Sequence, residues 1–343
     1  MKLLKYILFS AVAMSAAVTF PAHAEEAPEA ESFSYVPNIH GAMRARWEDD
    51  LDASRSRFQL RNARVSLDGK IHPTIDYFLQ VDLCDQGTMK FLDGWARIKV
   101  TDGLKFQAGQ FRMPFGVDPF KAPANYIFSN RSFIGKQVCN VRAVGAKLTY
   151  DFPKIPLTLE GGVFNPTSIS DHTGWNSSYA YAGRAIYRIG TFKIDAGIQS
   201  LRPDEIRINL LDGCLNWTSG RWILEGEYMY KHYTNNAHKA VHAYNFWGDY
   251  HMPVKAGVFN RLSFQGRFDG MTAHSSGKRN ADGELTTNDP ARNRVTVGAT
   301  ISYVKKPVWL DIRANYEKYF YHHGVEPVLG QGDRLVLEMV LRF

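Results

Sequence analysis

The chain has 343 residues and a formal net charge of +7, and it contains 17 Tyr, 21 Phe and 7 Trp residues. Its mean hydropathy is −0.30, and beyond the N-terminus no apolar run reaches the roughly 18 residues of a membrane helix, which excludes a protein built from spanning helices. The aromatic content suits the interfacial girdles of a transmembrane β-barrel. The moderate positive charge favours anionic partners, and we expect no nucleic-acid partner.

The first 24 residues resemble a secretory signal peptide. Lys2 and Lys5 form a positive start, residues 6–18 are apolar, and residues 22–24 (Ala-His-Ala) form a small-x-small cleavage site. The apolar stretch is shorter than the roughly 20 residues of a spanning helix, which disfavours a membrane anchor. The sequence therefore predicts export and cleavage after Ala24.

The remainder divides into a short acidic lead-in, residues 25–35, which we expect in the periplasm, and a barrel over residues 36–343. Apolar and polar residues alternate in many segments, as in a strand with one face toward lipid and one toward water. The clearest segments are 75–83, 192–199, 261–268, 294–303 and 334–343. The final residue, Phe343, resembles the aromatic C-terminal signal of outer-membrane barrels.

Connector lengths predict the topology. Seven short connectors alternate with eight longer polar ones, which gives an antiparallel barrel with short periplasmic turns and long external loops. The short ones are near 71–73, 101–103, 152–156, 190, 219–220, 252–255 and 305–307; the long ones are near 49–56, 84–90, 113–140, 165–178, 201–206, 232–240, 269–292 and 320–332. The prediction is an all-β transmembrane barrel of sixteen strands, with fourteen or eighteen as alternatives because the segment 206–217 is irregular. A barrel of that size leaves an aqueous channel.

The predicted inward faces carry nearly equal numbers of basic and acidic residues. Arg44, Arg64, Arg184 and Arg267 are candidate anion contacts on this wall, and Arg221 is also expected to point inward. Mixed rows of charge set a transverse field across a pore. The alternative is that most of these side chains are salt-bridged wall residues.

The third long connector, residues 113–140, is predicted to fold into the lumen. It carries Lys121, Arg131 and Lys136 against one acid, Asp118, and Arg112 directly precedes it. Its Pro, Phe and Tyr residues supply apolar mass for packing against the inner wall. We expect Arg112, Arg131, Lys121 and Lys136 to line a constriction, because guanidinium and ammonium groups attract anions. The alternative is that they lie at the loop surface.

Two stretches resemble the phosphate-selective porin O/P family. They are residues 58–70 (Phe-Gln-Leu-Arg-Asn-Ala-Arg-Val-Ser-Leu-Asp-Gly-Lys) with 77–82, and residues 104–116 (Leu-Lys-Phe-Gln-Ala-Gly-Gln-Phe-Arg-Met-Pro-Phe-Gly). The resemblance implies a sixteen-stranded trimeric porin. It also implies phosphate or polyphosphate binding by arginines on an inward third loop and by basic residues on the wall, although many relatives have no established solute.

The resulting hypothesis is a homotrimeric porin in the outer membrane of a Gram-negative bacterium. It would pass small hydrophilic solutes, with a bias to anions such as phosphate, and would contact outer-membrane lipid. We expect no enzymatic activity, no cofactor and no metal. The alternatives are a structural or surface-interaction barrel with a closed pore, and a hydrolase using His274 and Ser276, whose spacing chance explains better. Cys84 and Cys139 fall in neighbouring loops, and both a disulfide and free thiols remain open.

Overall fold

A computed structural model describes residues 34–85, 87–139, 142–166, 174–285, 289–322 and 324–343. The predicted signal peptide and most of the predicted lead-in lie outside these residues. The described part forms sixteen strands, each hydrogen-bonded antiparallel to its sequence neighbours, and the first strand pairs with the last. The predicted closed sixteen-stranded barrel is therefore confirmed. No helix in the described residues is long and apolar enough to cross a membrane.

The strands are β1 Asn38–Asp50, β2 Arg55–His72, β3 Ile75–Asp85, β4 Thr88–Lys99, β5 Leu104–Arg112, β6 Arg142–Asp151, β7 Leu157–Phe164, β8 Ala180–Ile189, β9 Phe192–Leu201, β10 Ile208–Ser219, β11 Trp222–Tyr233, β12 Val241–Ala256, β13 Phe259–Met271, β14 Arg292–Lys305, β15 Val308–Tyr321 and β16 Arg334–Arg342. We call the two rims of the barrel the long-loop end and the short-turn end.

Alternation along each strand separates an apolar outer face from a polar inner face. In β15, Ile312, Tyr316 and Phe320 are exposed outward, whereas Arg313 and Glu317 are buried inside. Such alternation is what a strand between lipid and a polar lumen requires.

The last residue closes the barrel seam. Phe343 exchanges backbone hydrogen bonds with Gly41, with N–O distances of 2.9 and 3.1 Å. A Cβ atom at Gly41 would lie 2.2 Å from the Phe343 ring, so glycine lets the ring lie flat over β1 at this point.

Three predicted connectors differ from the structure. The first two long loops are shorter than predicted, because the strands on either side extend further and leave only residues 51–54 and 86–87 as connectors. Opposite charges that pair across the strands, as at Glu48 and Arg57, stabilise the extensions. The predicted turn at 252–255 is also wrong: β12 continues through Pro253, and the turn is at 257–258. A register shift at Pro253 accommodates the missing N–H donor.

The connection between β5 and β6, which we call loop 3, packs against the inner wall. Its π-helical turn Ile134–Val138 is buried beside apolar residues from several strands, and the shared cluster includes Ile208 and Leu210. This contact explains why β10 lacks a clear alternation in the sequence. Its inward residues contact an apolar loop, and Leu211, on its other face, is exposed outward.

Candidate pore site

Loop 3 is anchored to β11 by a buried carboxylate. Glu227 has no exposed surface, and its Oε1 atom accepts hydrogen bonds from the backbone N–H groups of Val117 (2.7 Å) and Asp118 (3.2 Å). Its Oε2 atom also accepts from the Asp118 N–H at 2.9 Å. Glu227 is thus the wall acceptor for two buried backbone N–H groups, and this contact fixes the first part of the loop.

Arg112 and Arg131 donate to carbonyl groups of their own loop. Arg112 Nη1 donates to the carbonyls of Pro119 (3.1 Å) and Phe120. Arg131 donates from Nη1 to Pro119 O at 3.2 Å and from Nη2 to Lys121 O at 2.9 Å. These contacts occupy N–H donors that an anion would need. The anion-contacting role of Arg112 and Arg131 stays a prediction.

Three further predicted candidates hold loop 3 to the wall. Lys121 pairs with Glu225. Arg184 pairs with Glu160 at 2.6 Å and lies 4.1 Å from the centre of the Phe120 ring. Arg267 donates to Asn130 O at 2.8 Å. All three cations are therefore engaged in bracing the loop.

The two remaining wall candidates are paired with buried carboxylates. Arg44 Nη2 lies 2.6 Å from Glu338 Oε1 and also donates to Ser129 O at 2.5 Å. Arg64 Nε lies 2.8 Å from Asp82 Oδ2. Arg64 Nη1 has no hydrogen-bond partner among the described residues.

A cavity of about 740 Å³ lies at the long-loop end between the wall and loop 3. Among the described residues, twelve Lys and Arg side chains line it against two carboxylates, Asp85 and Asp289. The basic residues are Arg44, Arg46, Arg57, Arg61, Arg64, Lys90, Arg131, Lys136, Arg142, Lys231, Lys278 and Arg334. Four of the eight predicted candidates therefore meet here, namely Arg44, Arg64, Arg131 and Lys136. Arg112, Lys121, Arg184 and Arg267 do not line this cavity.

Several carboxylates that pair with these cations lie behind them. The Arg57 side chain is 57% exposed, whereas its partner Glu48 is 7% exposed. Asp82, the partner of Arg64, has no exposed surface. Because Coulomb energy falls with distance, a solute in the cavity interacts more strongly with the nearer cations than with the carboxylates behind them.

Two lysines face the cavity without a partner. Neither Lys136 nor Lys278 makes a hydrogen bond or ion pair with any residue that the structure describes. Removal from bulk solvent inside the barrel, aided by the positive charges of Arg334 and Arg61, lowers the pKa of Lys136 to about 8. Its charge therefore changes within an experimentally accessible pH range.

Six of the basic residues at the cavity were not predicted from the sequence. Arg57, Arg61 and Lys90 lie near register shifts in β1–β2 and β3–β4, where the inward parity changes and simple alternation fails. Arg142, Lys231 and Lys278 were not singled out either. Arg221, predicted to point inward, lies in the turn before β11 and is exposed.

The remaining candidates have structural contacts of their own. His274 Nε2 lies 3.4 Å from Asp289, and no hydrogen bond joins His274 to Ser276 within the described ranges. Cys84, Cys139 and Cys214 are free thiols, so the structure contains no Cys84–Cys139 disulfide. No group of three His, Cys, Asp or Glu side chains in the part described could hold a metal ion.

A closed sixteen-stranded antiparallel barrel with an apolar outer face and a polar inner wall is the architecture of an outer-membrane porin. Residues 37–202 match the family model of the phosphate-selective porins O and P, which confirms the predicted resemblance over that range. A search of curated proteins finds no match.

Solved structures with the same fold are distant in sequence. An anion-selective porin from Comamonas acidovorans is 12% identical and has a TM-score of 0.61, with 90% of this chain and 98% of that chain covered. The trimer form of OmpT, an outer-membrane protein of Vibrio cholerae, is 11% identical with a TM-score of 0.59, covering 90% and 98%. OmpF of Salmonella typhi, in complex with daunomycin, is 14% identical with a TM-score of 0.62, covering 90% and 97%.

Proposed function

We propose that this porin lets small hydrophilic solutes diffuse passively through the outer membrane and favours anions such as phosphate. The observation that carries the proposal is the cavity at the long-loop end, where basic side chains far outnumber acidic ones among the described residues. A positive potential there raises the local anion concentration and lowers that of cations. Diameter and electrostatics would supply selectivity without energy coupling.

Loop 3 supports the same function by covering part of the acidic wall. Glu225 and Glu227 face the loop, where Glu225 pairs with Lys121 and Glu227 accepts hydrogen bonds from two backbone N–H groups. The near-balance of charge over the whole barrel therefore does not extend to the cavity. We place the selectivity at the long-loop end and assign the constriction to loop 3.

The test is the reversal potential of single channels in a salt gradient. The double variant Lys136→Gln/Lys278→Gln removes two cations that do not brace loop 3, and we expect it to lower the anion-to-cation permeability ratio. The matched control, Lys154→Gln/Lys255→Gln, removes two exposed lysines near the short-turn end and should leave the ratio unchanged. Equal effects of both pairs, or no effect of either, would contradict the proposal.

Two further parts of the proposal concern export and assembly. We infer a homotrimer, because a distant solved structure of the same fold is a trimer. We also propose cleavage after Ala24, so N-terminal sequencing of the exported protein should begin at Glu25. A monomer in membrane-extracted material, or an uncleaved N-terminus, would overturn the respective part.

A barrel with a closed pore is the second candidate function. Loop 3 hydrogen-bonds to residues of widely separated strands, including Glu227 on β11, Arg267 on β13 and Arg44 on β1. So many attachments favour a loop that spans much of the lumen. Absence of conductance from purified, folded protein in planar bilayers would favour this candidate over the porin.

A further inference from the structure

The outer surface of the barrel carries an apolar groove of about 870 Å³. Its floor is formed by Gly226, Gly248 and Gly266 on the adjacent strands β11, β12 and β13, and Gly248 lies directly opposite Gly266. The absence of side chains at these positions makes the depression. Its walls are Phe192, Leu215, Trp217, Leu224, Phe246 and Phe268. Most of these wall residues are exposed on the outward face, so the groove opens toward the membrane.

The groove lies within one leaflet of the membrane. Trp222 and Tyr250 form a pair of aromatic rings 4.7 Å apart at the short-turn end, where an interfacial girdle is expected. Gly226 is four positions along β11 from Trp222, which is roughly 13 Å of strand at about 3.3 Å per residue. Because strands of such barrels tilt by about 35–45°, this length corresponds to a depth of about 10 Å, which is less than half of a hydrocarbon core about 30 Å thick. Because short turns are periplasmic in such barrels, this is the periplasmic leaflet.

An unpaired cation marks the girdle end of the groove. Arg221 lies in the turn that joins β10 to β11, directly before Trp222, and is exposed. Its side chain makes no hydrogen bond or ion pair with any residue in the described part of the chain. A guanidinium group offers two parallel donors that match a phosphate, and basic residues at this level attract anionic lipid headgroups.

We propose that the groove binds one acyl chain of a periplasmic-leaflet phospholipid, with the lipid phosphate at Arg221. Within the membrane, the hydrophobic effect does not favour an acyl chain in the groove over an acyl chain in bulk lipid. Binding therefore depends on van der Waals packing and on the headgroup contact. A flexible chain fills a glycine-floored depression that would otherwise lack contacts. The exposed guanidinium at the girdle favours a lipid over a second copy of this chain as the occupant.

The test uses a variant that fills the groove. A Cβ atom at Gly266 meets no atom within 4 Å, so Gly266→Leu places its side chain in the groove without a backbone clash. Gly213 is equally open and also faces outward, on β10, and it does not line the groove. Gly213→Leu is therefore the matched control. Phosphatidylglycerol is titrated into each purified, folded, full-length protein, and bound lipid is counted by native mass spectrometry.

We expect the unmodified protein and Gly213→Leu to retain one phosphatidylglycerol per protomer with equal affinity. Gly266→Leu should weaken that binding about tenfold, and Arg221→Gln should weaken it while the groove stays intact. Equal binding by Gly266→Leu and Gly213→Leu would overturn the proposal. Displacement of the lipid by lipopolysaccharide at equal concentration would also overturn it, because the occupant would then be an outer-leaflet lipid. A change of oligomeric state in Gly266→Leu with unaltered lipid binding would overturn it as well, because the occupant would then be a second copy of this chain.

Discussion

Replacing Glu227 by Ala should release the first part of loop 3 from β11. The substitution removes the acceptor of two buried backbone N–H groups, those of Val117 and Asp118. Each buried donor left without a partner costs about 1–3 kcal/mol, so the docked loop should lose about 2–6 kcal/mol relative to a released loop. At about 1.4 kcal/mol per factor of ten, even the lower bound shifts the docking equilibrium about 30-fold.

Single-channel recording in planar bilayers measures this shift. We expect Glu227→Ala to show larger current fluctuations and an altered mean conductance, because loop 3 samples positions away from the wall. The remaining attachments, such as Lys121 with Glu225, should prevent complete loss of the open-channel level. Glu205→Ala is the control, because Glu205 is an exposed carboxylate and its ion pair with Arg279 is 3.7 Å long. A Glu227→Ala channel with the noise and conductance of the control would refute this account of how loop 3 is held.

Three further predictions concern loop 3 and its surroundings. The pKa of Lys136 is lowered to about 8, so its side chain is charged below that pH and neutral above it. We therefore expect the anion preference to fall between pH 7 and pH 9, and to fall less steeply in Lys136→Met. Reversal potentials measured at each pH test this. Ile134→Ala removes a fully buried side chain from loop 3, which should weaken the docking free energy of the loop by about 2–5 kcal/mol and increase current noise. The control Ile155→Ala, in an exposed turn, should leave the current noise unchanged. Burial raises the pKa of the Cys139 thiol, so in a variant with no other cysteine its alkylation at pH 8 should be at least about tenfold slower in the folded than in the unfolded protein. Equal rates in the two states would show that the thiol is accessible.

Much of the fold could be predicted because the lipid-facing surface imposes a strict period of two on every strand. That rule failed where the inner wall is apolar, as at Ile208 and Leu210, since loop 3 packs there and no local pattern reveals a partner distant in sequence. It also failed at register shifts. One extra residue near Arg61 reverses which side chains face inward, and a sequence offers no direct signal for such a bulge.

The candidate site was predicted less completely than the fold. Composition drew attention to the cations of loop 3, but the identity of a residue does not reveal whether its donors are occupied. Arg131 donates to carbonyls of its own loop, whereas Lys136, a few residues further along, has no partner in the described structure. Ion pairing and loop bracing depend on tertiary contacts, so the unpaired cations could be identified only once the barrel was assembled.

We propose that a positively charged cavity at the long-loop end makes this porin favour anions. The reversal potential of the unmodified channel tests this most directly. Recordings would be made across a potassium chloride gradient and then across a potassium phosphate gradient. We predict a reversal potential of the sign given by anion permeability exceeding that of potassium in both salts. A potential of the opposite sign, indicating preference for potassium, would contradict the account.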